Sequence, residues 1–333
     1  MKLNKIILFI SLTISLIVAA ILCLTFGASK IGLYDTVYTL LHPGSENIFQ
    51  SIIWQIRFPR IIFAIIVGAG LAATGCIFQG LLRNPLADPY TLGTSGGAAF
   101  GVTLCVVTGL LKSGILYMPI FAFLGAFVSI LLVYEIASMK RFSISTLILG
   151  GVVLNFLFSS FVLFIFSIMQ TENVHSTILW LMGDLSSARI ELIKIISFVV
   201  ILGIILLSLF SRELDLLTLG EEKATYLGMD TENVRKIFFI IASIIVGACV
   251  SVSGIIGFVG LLIPHLMRKI TGPVHAVLIP ASALAGAIFL TICDTLARTI
   301  IAPIELPVGV ITGIFGSLVF LSFLIKSKKW EIF

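Results

Sequence analysis

Nine stretches of this chain stay apolar over roughly the 20 residues that a helix needs to cross a bilayer, and no other feature limits its fold as much. They cover residues 6–26, 61–82, 91–111, 115–136, 144–169, 192–210, 237–267, 274–297 and 308–325. In lipid, such runs must satisfy their own backbone polar groups, so each is expected to be helical. Charged residues make up only 11% of the chain, where a soluble domain carries about 25%. The expectation is an all-α, multi-pass membrane protein forming one unit over residues 1–333. The first run follows Met1-Lys2-Leu3-Asn4-Lys5 and outlasts the roughly 7–15 apolar residues of a signal peptide, so it is read as an uncleaved first span.

The run 237–267 holds 31 residues, too many for one crossing and too few for two ordinary ones. Charge decides between them. Lys2 and Lys5 precede the first run, and Lys326, Lys328 and Lys329 follow the last, which puts both ends in the cytoplasm. Two cytoplasmic ends require an even number of crossings. The long run is therefore expected to cross twice, breaking near Ser253-Gly254-Ile255-Ile256-Gly257, for ten spans in all. On that topology 14 of the 21 basic residues fall on inner loops. Glycine, alanine and proline also recur at an offset of 179, Gly68-Ala69, Gly75 and Pro85 against Gly247-Ala248, Gly254 and Pro264, as in an inverted internal repeat.

Two loops stand out. The outer one, 28–60, carries the turn signal Pro43-Gly44-Ser45 and ends on Arg57-Phe58-Pro59-Arg60. The inner one, 211–236, is divided by Gly220 and Gly228 into two short helical pieces. Its chemistry suits either docking to another protein or a solvated connector.

The net charge of +5 is scattered over loops and forms no nucleic-acid patch. Cys23, Cys76, Cys105, Cys249 and Cys293 lie in or beside apolar runs without a C-x-x-C pair, and are expected as small buried hydrophobes. No P-loop or metalloprotease motif occurs, so no catalytic residue, cofactor or metal is expected, and the chain is not read as an enzyme by itself. The middles of the spans are nearly free of the ionisable residues that ion-coupled carriers place there. This speaks against a secondary carrier and for an external energy source, such as ATP hydrolysed by a partner on the inner loop. Gln79, Asn84 and Asn155 suit either solute contact or helix packing, and His265 is read as a packed helix-end histidine.

The most unusual stretch is 83–101, a polar turn with two prolines that runs into a helix of Gly, Ala, Ser and Thr. Within it, Asn84-Pro85-Leu86-Ala87-Asp88-Pro89, Leu92-Gly93 and Gly96-Gly97-Ala98 resemble a signature of the FecCD-type permeases of ABC importers for iron-siderophores, haem and vitamin B12. Gly257-Phe258-Val259-Gly260-Leu261 with Pro264-His265 and Arg268 resembles a second signature, and Glu305-Leu306-Pro307-Val308-Gly309 a third.

The resemblance implies a homodimer of ten-helix subunits in the cell membrane, with the path at the dimer axis. It implies a cytoplasmic gate at Asn84 and Leu86 with Ser143 nearby, and a path lined by Gly93, Thr94, Ser95, Gly96, Gly97, Ala98 and Gly101. A cytoplasmic P-loop ATPase dimer would couple through Leu219, Gly220, Glu221, Glu222, Ala224, Leu227 and Gly228. An extracytoplasmic substrate-binding protein would dock on Arg57, Arg60 and Arg298. The expected cargo is a ferric siderophore, with haem or cobalamin as the alternatives.

Overall fold

The computed structural model describes residues 2–326 apart from 28, 30, 43–47, 111–113, 115, 141, 170 and 187. Pro43-Gly44-Ser45, Lys30, Lys112, Arg141, Lys328 and Lys329 thus lie outside the described residues. Among those described, every regular element is helical. In chain order they are α1 (Lys2–Thr25), α2 (Leu33–Leu41), α3 (Ile48–Ser51), α4 (Phe58–Leu81), α5 (Thr94–Val107), α6 (Tyr117–Ser138), α7 (Ile144–Ile168) and α8 (Thr171–Leu181). There follow α9 (Ile190–Leu209), α10 (Ser211–Thr218), α11 (Glu221–Tyr226), α12 (Thr231–Ser253), α13 (Val259–Thr271), α14 (His275–Thr299) and α15 (Val308–Lys326).

Seven of the described helical segments are long and apolar enough to cross a membrane, and α5 and α15 are shorter apolar helices. The predicted second span differs at its start. Helix runs without interruption from Phe49 to Leu81, through a π-helical turn at Ile52–Arg57. Arg57 and Arg60 therefore belong to a helix, not to the end of a loop. Apolar residues before Arg57 extend the buried stripe, and Pro59 follows just after the π-helical turn.

The long run 237–267 does break where expected. α12 ends at Ser253, Gly254 (φ 68) and Phe258 (φ 69) take the left-handed backbone, and α13 starts at Val259. The offset of 179, by contrast, pairs positions with different uses. Gly75 is packed mid-helix while Gly254 ends one, and Pro85 lies in a turn while Pro264 sits inside α13.

The core is organised around α4, buried on nearly all sides against α9, α12, α13 and α14. Its small residues allow this. A Cβ on Gly75 would collide with the Gly260 carbonyl of α13, and one on Gly68 with the Gly286 carbonyl of α14. Between membrane helices, such small-residue seams substitute van der Waals packing for the missing hydrophobic drive. All five cysteines are buried free thiols, as expected. Many aliphatic and aromatic side chains face outward, among them Ile10 and Ile17 of α1, Phe156 of α7 and Phe198 of α9.

Candidate transport path and coupling loop

Between α4 and α5 the backbone is a chain of closed turns. The Asn84 N–H donates to the Gln79 carbonyl (3.1 Å), and its side-chain Oδ1 accepts from the Leu86 N–H (2.9 Å), closing an Asx turn. The Asp88 carboxylate accepts from the Tyr90 N–H (2.9 Å) and starts a 3₁₀ turn over Pro89–Leu92. Gly93, with φ 83, ends that turn and begins α5. The Tyr90 hydroxyl accepts from the Ile256 N–H (3.2 Å), so this irregular segment faces the break between α12 and α13. Each covers the other's backbone, the condition on which unwound chain is tolerated at membrane depth. Sequence reasoning missed Tyr90.

The predicted gate residues are therefore held, not loose. Asn84 is half-buried and committed to its own turn, while Leu86 is exposed. Ser143 is the N-cap position of α7, half-buried, in the turn that follows α6. Gln79 is fully buried and donates to the Leu261 carbonyl (3.0 Å), joining α4 to α13. His265 is buried with its ring 6.3 Å from that of Phe320 and 6.2 Å from that of Phe323, a packed position.

The predicted path lining requires a correction. Gly93, Thr94, Ser95, Gly96, Gly97, Ala98 and Gly101 do not form an open wall within the subunit: all are buried. A Cβ on Gly97 would collide with the Gly125 carbonyl of α6, one on Gly101 with the Phe121 carbonyl, and one on Gly96 with the Asn155 side chain of α7. The Ser95 hydroxyl donates to Asn155 Oδ1 (3.3 Å), and Ser129 Oγ to the Gly93 carbonyl (2.8 Å). A run of small residues reads in sequence either as a smooth wall or as a close-packing seam, and here α6 and α7 have filled it. Polar groups on an outward face are found instead on α7, where Ser159 and Ser160 are exposed among apolar neighbours.

At the same end as the 84–86 turn, the loop after α9 is well ordered. α10 is fastened to α14, since the Asp215 carboxylate accepts from the His275 N–H (3.0 Å) and lies 2.6 Å from His275 Nδ1. Gly220, with φ 112, turns the chain into α11. Ala224 is buried and anchors α11, and Gly220 is half-buried. Leu219, Glu221, Glu222, Leu227 and Gly228 are exposed, and so is Tyr226, at 90%, which sequence reasoning overlooked. Three large apolar side chains in the open, on a short rigid loop, offer a contact surface. Glu221 is also turned back onto the protein: its Oε1 lies 2.7 Å from Arg235 and 3.2 Å from Arg83.

At the opposite end, the three predicted docking arginines are sealed inside, at 3%, 6% and 5% exposure for Arg57, Arg60 and Arg298. Arg57 donates to the Leu24 (2.6 Å), Thr25 (3.0 Å) and Ser29 (2.5 Å) carbonyls and so clamps the end of α1. Arg60 pairs with Asp294 (2.9 Å) and Glu305 (2.7 Å), and Arg298 pairs with Asp294 (3.1 Å). A fully buried carboxylate demands such partners, which is why these side chains turn inward. Glu305 also borders a cavity of about 700 Å³ whose wall includes Trp180, Asp184, Arg189 and Pro307. Among the described residues, no group of three or more His, Cys, Asp or Glu is placed to hold a metal ion.

A profile of the FecCD transport family matches residues 15–326. The hemin transport system permease HmuU of Yersinia pestis is 35% identical over 322 residues, covering 96% of this chain and 96% of its own. The Fe(3+)-citrate import system permease YfmE of Bacillus subtilis is 37% identical over 310 residues, covering 93% and 92%. Among solved structures, a transporter assigned to the metal-chelate ABC type, captured in an inward-facing conformation, superposes with a TM-score of 0.86 at 34% identity. That match covers 96% of this chain and 99% of the other.

Proposed function

Since the chain belongs to the FecCD transport family, as the permease component of a metal-chelate type ABC importer, we propose that its cargo is a ferric siderophore handed over by an extracytoplasmic binding protein. The observation that carries the energy-coupling part of this reading is the 211–236 loop. Its α10 is fastened to α14 through Asp215 and His275, and it exposes Leu219, Tyr226 and Leu227. Such a knob transmits force from a partner without bending. A cytoplasmic P-loop ATPase dimer that grips it would supply the energy, and no chemistry is asked of the permease.

On this reading the subunit crosses the membrane ten times, α12 and α13 being separate crossings, with both ends in the cytoplasm. Two copies assemble around a shared path. The lining then comes from a face that is exposed in the single subunit, and α7 with Ser159 and Ser160 is the candidate. Asn84, Leu86 and Ser143 form the cytoplasmic mouth. Because Arg57, Arg60 and Arg298 are spent on internal partners, they shape the platform for the binding protein and do not grip it directly.

Haem is the closest alternative cargo, because a 35%-identical relative carries hemin by name, and cobalamin follows. An ion-coupled carrier is disfavoured by the pairing of Asp294, whose carboxylate is held by both Arg60 and Arg298. The test is uptake into proteoliposomes containing the permease with its ATPase and binding protein. ATP-dependent accumulation of a radioiron-loaded siderophore is expected. Equal accumulation under a proton or sodium gradient without the ATPase would overturn the assignment.

A further inference from the structure

Among the described residues, three that are not glycine take the left-handed backbone: Arg83 (φ 46), Phe142 (φ 52) and Phe258 (φ 69). L side chains seldom adopt this conformation, and it persists where surroundings hold it. Phe258 caps α13. The other two lie in the turn after α4, which leads to Asn84 and Leu86, and in the turn before α7, which leads to Ser143. One carboxylate reaches both. Glu221 Oε1 is 3.2 Å from Arg83 and 2.7 Å from Arg235, while Arg235 NH1 donates to the Phe142 carbonyl at 2.7 Å.

The two arms differ in strength. The Arg235 side chain is 4% exposed, so its guanidinium depends on these partners, whereas Arg83 is 34% exposed and its pairing is screened by water. The two halves of the loop differ as well. α10 is fastened to α14 by Asp215 and His275, and α11 follows across the left-handed joint at Gly220. Displacing α11 against α10 therefore acts on Glu221, the first residue of α11, and through it on Arg83 and on Arg235.

Resting on the transport reading above, we infer that Glu221 is a positioning residue of the transport cycle, a strut that moves the 83–86 turn and the backbone at Phe142 and Ser143 together with α11. It is not a contact with the ATPase. One carboxylate thereby links the driven loop to both sides of the proposed mouth.

The test uses the permease assembled with its ATPase and binding protein in proteoliposomes, offered ferric citrate, a ferric hydroxamate and haem. Glu221→Gln is expected to lower chelate transported per ATP by about fivefold, with the ATPase still co-purifying. Glu135→Gln, which removes an exposed carboxylate near the end of α6, is expected to change neither quantity. Arg83→Ala with Glu221→Gln should be no worse than Glu221→Gln alone, because both remove the same arm. Loss of ATPase co-purification in Glu221→Gln, an equal fall in Glu135→Gln, additive losses, or undiminished transport per ATP would each overturn the strut. Should Glu221→Gln yield no folded complex, Arg83→Ala carries the test: about a twofold fall supports the strut, and no fall overturns it. A wild-type complex that moves none of the three chelates with ATP overturns the transport reading itself, and the strut with it.

Discussion

Arg60 and Asp294, 234 positions apart, meet at 2.9 Å with 7% and 0% of their side chains exposed, joining α4 to α14. Arg298 completes the pairing of Asp294 from the other side, and Glu305 that of Arg60. This cluster is structural, and its disruption should behave so. Asp294→Asn leaves two buried guanidinium groups undercompensated and is expected to cost about 3–5 kcal/mol. Thermal unfolding in detergent should show a large drop for Asp294→Asn and a smaller one for Glu305→Gln, whose side chain is 47% exposed. Equal and negligible drops would contradict the cluster's role.

Gly97 and Gly101 press against the Gly125 and Phe121 carbonyls. Leu at either position should force α5 and α6 apart at a cost of at least about 1–3 kcal/mol. Expression followed by size-exclusion chromatography should give little monodisperse Gly101→Leu. A stable, well-folded Gly101→Leu that fails only in transport would instead favour an open wall there.

Tyr226 and Leu227 stand 90% and 65% exposed with no packing role visible in the subunit. Replacing Tyr226 by Ala should leave folding intact and weaken ATPase association by about 2 kcal/mol if it is an anchor of that contact. Titration of the purified ATPase against the detergent-solubilised permease measures this. An unaltered dissociation constant for both Tyr226→Ala and Leu227→Ala would exclude this surface as the docking site.

Asn84 acts as the acceptor of an Asx turn, so Asp should replace it and Ala should not. Asn84→Ala is expected to lose about 1 kcal/mol of local stability, visible as faster hydrogen exchange across 84–88, while Asn84→Asp keeps protection near that of the wild type. A reversed order would mean that the amide nitrogen, and with it solute or partner contact, matters more.

The coarse plan was legible because it depends on local chemistry. Apolar runs marked the membrane helices, Gly254 ended α12 within the stretch expected to break, and Gly220 divided the inner loop into α10 and α11. The start of the second span was not legible, since residues 49–57 join it only by packing as one continuous helix. Nor was α8, a short helix without an apolar run to announce it.

By itself, then, the sequence determined an all-helical, multi-pass membrane permease with a structured loop at one end, because hydropathy, turn residues and spaced signatures are written along the chain. Tertiary structure alone decided what each polar or small residue does. Arg60 is buried because Asp294 is, Gly97 is a packing seam because α6 lies on it, and Glu221 faces inward because Arg235 waits there. The physical reason is the same in all three: burial and pairing belong to contacts between separate helices. No single helix of the chain contains both partners.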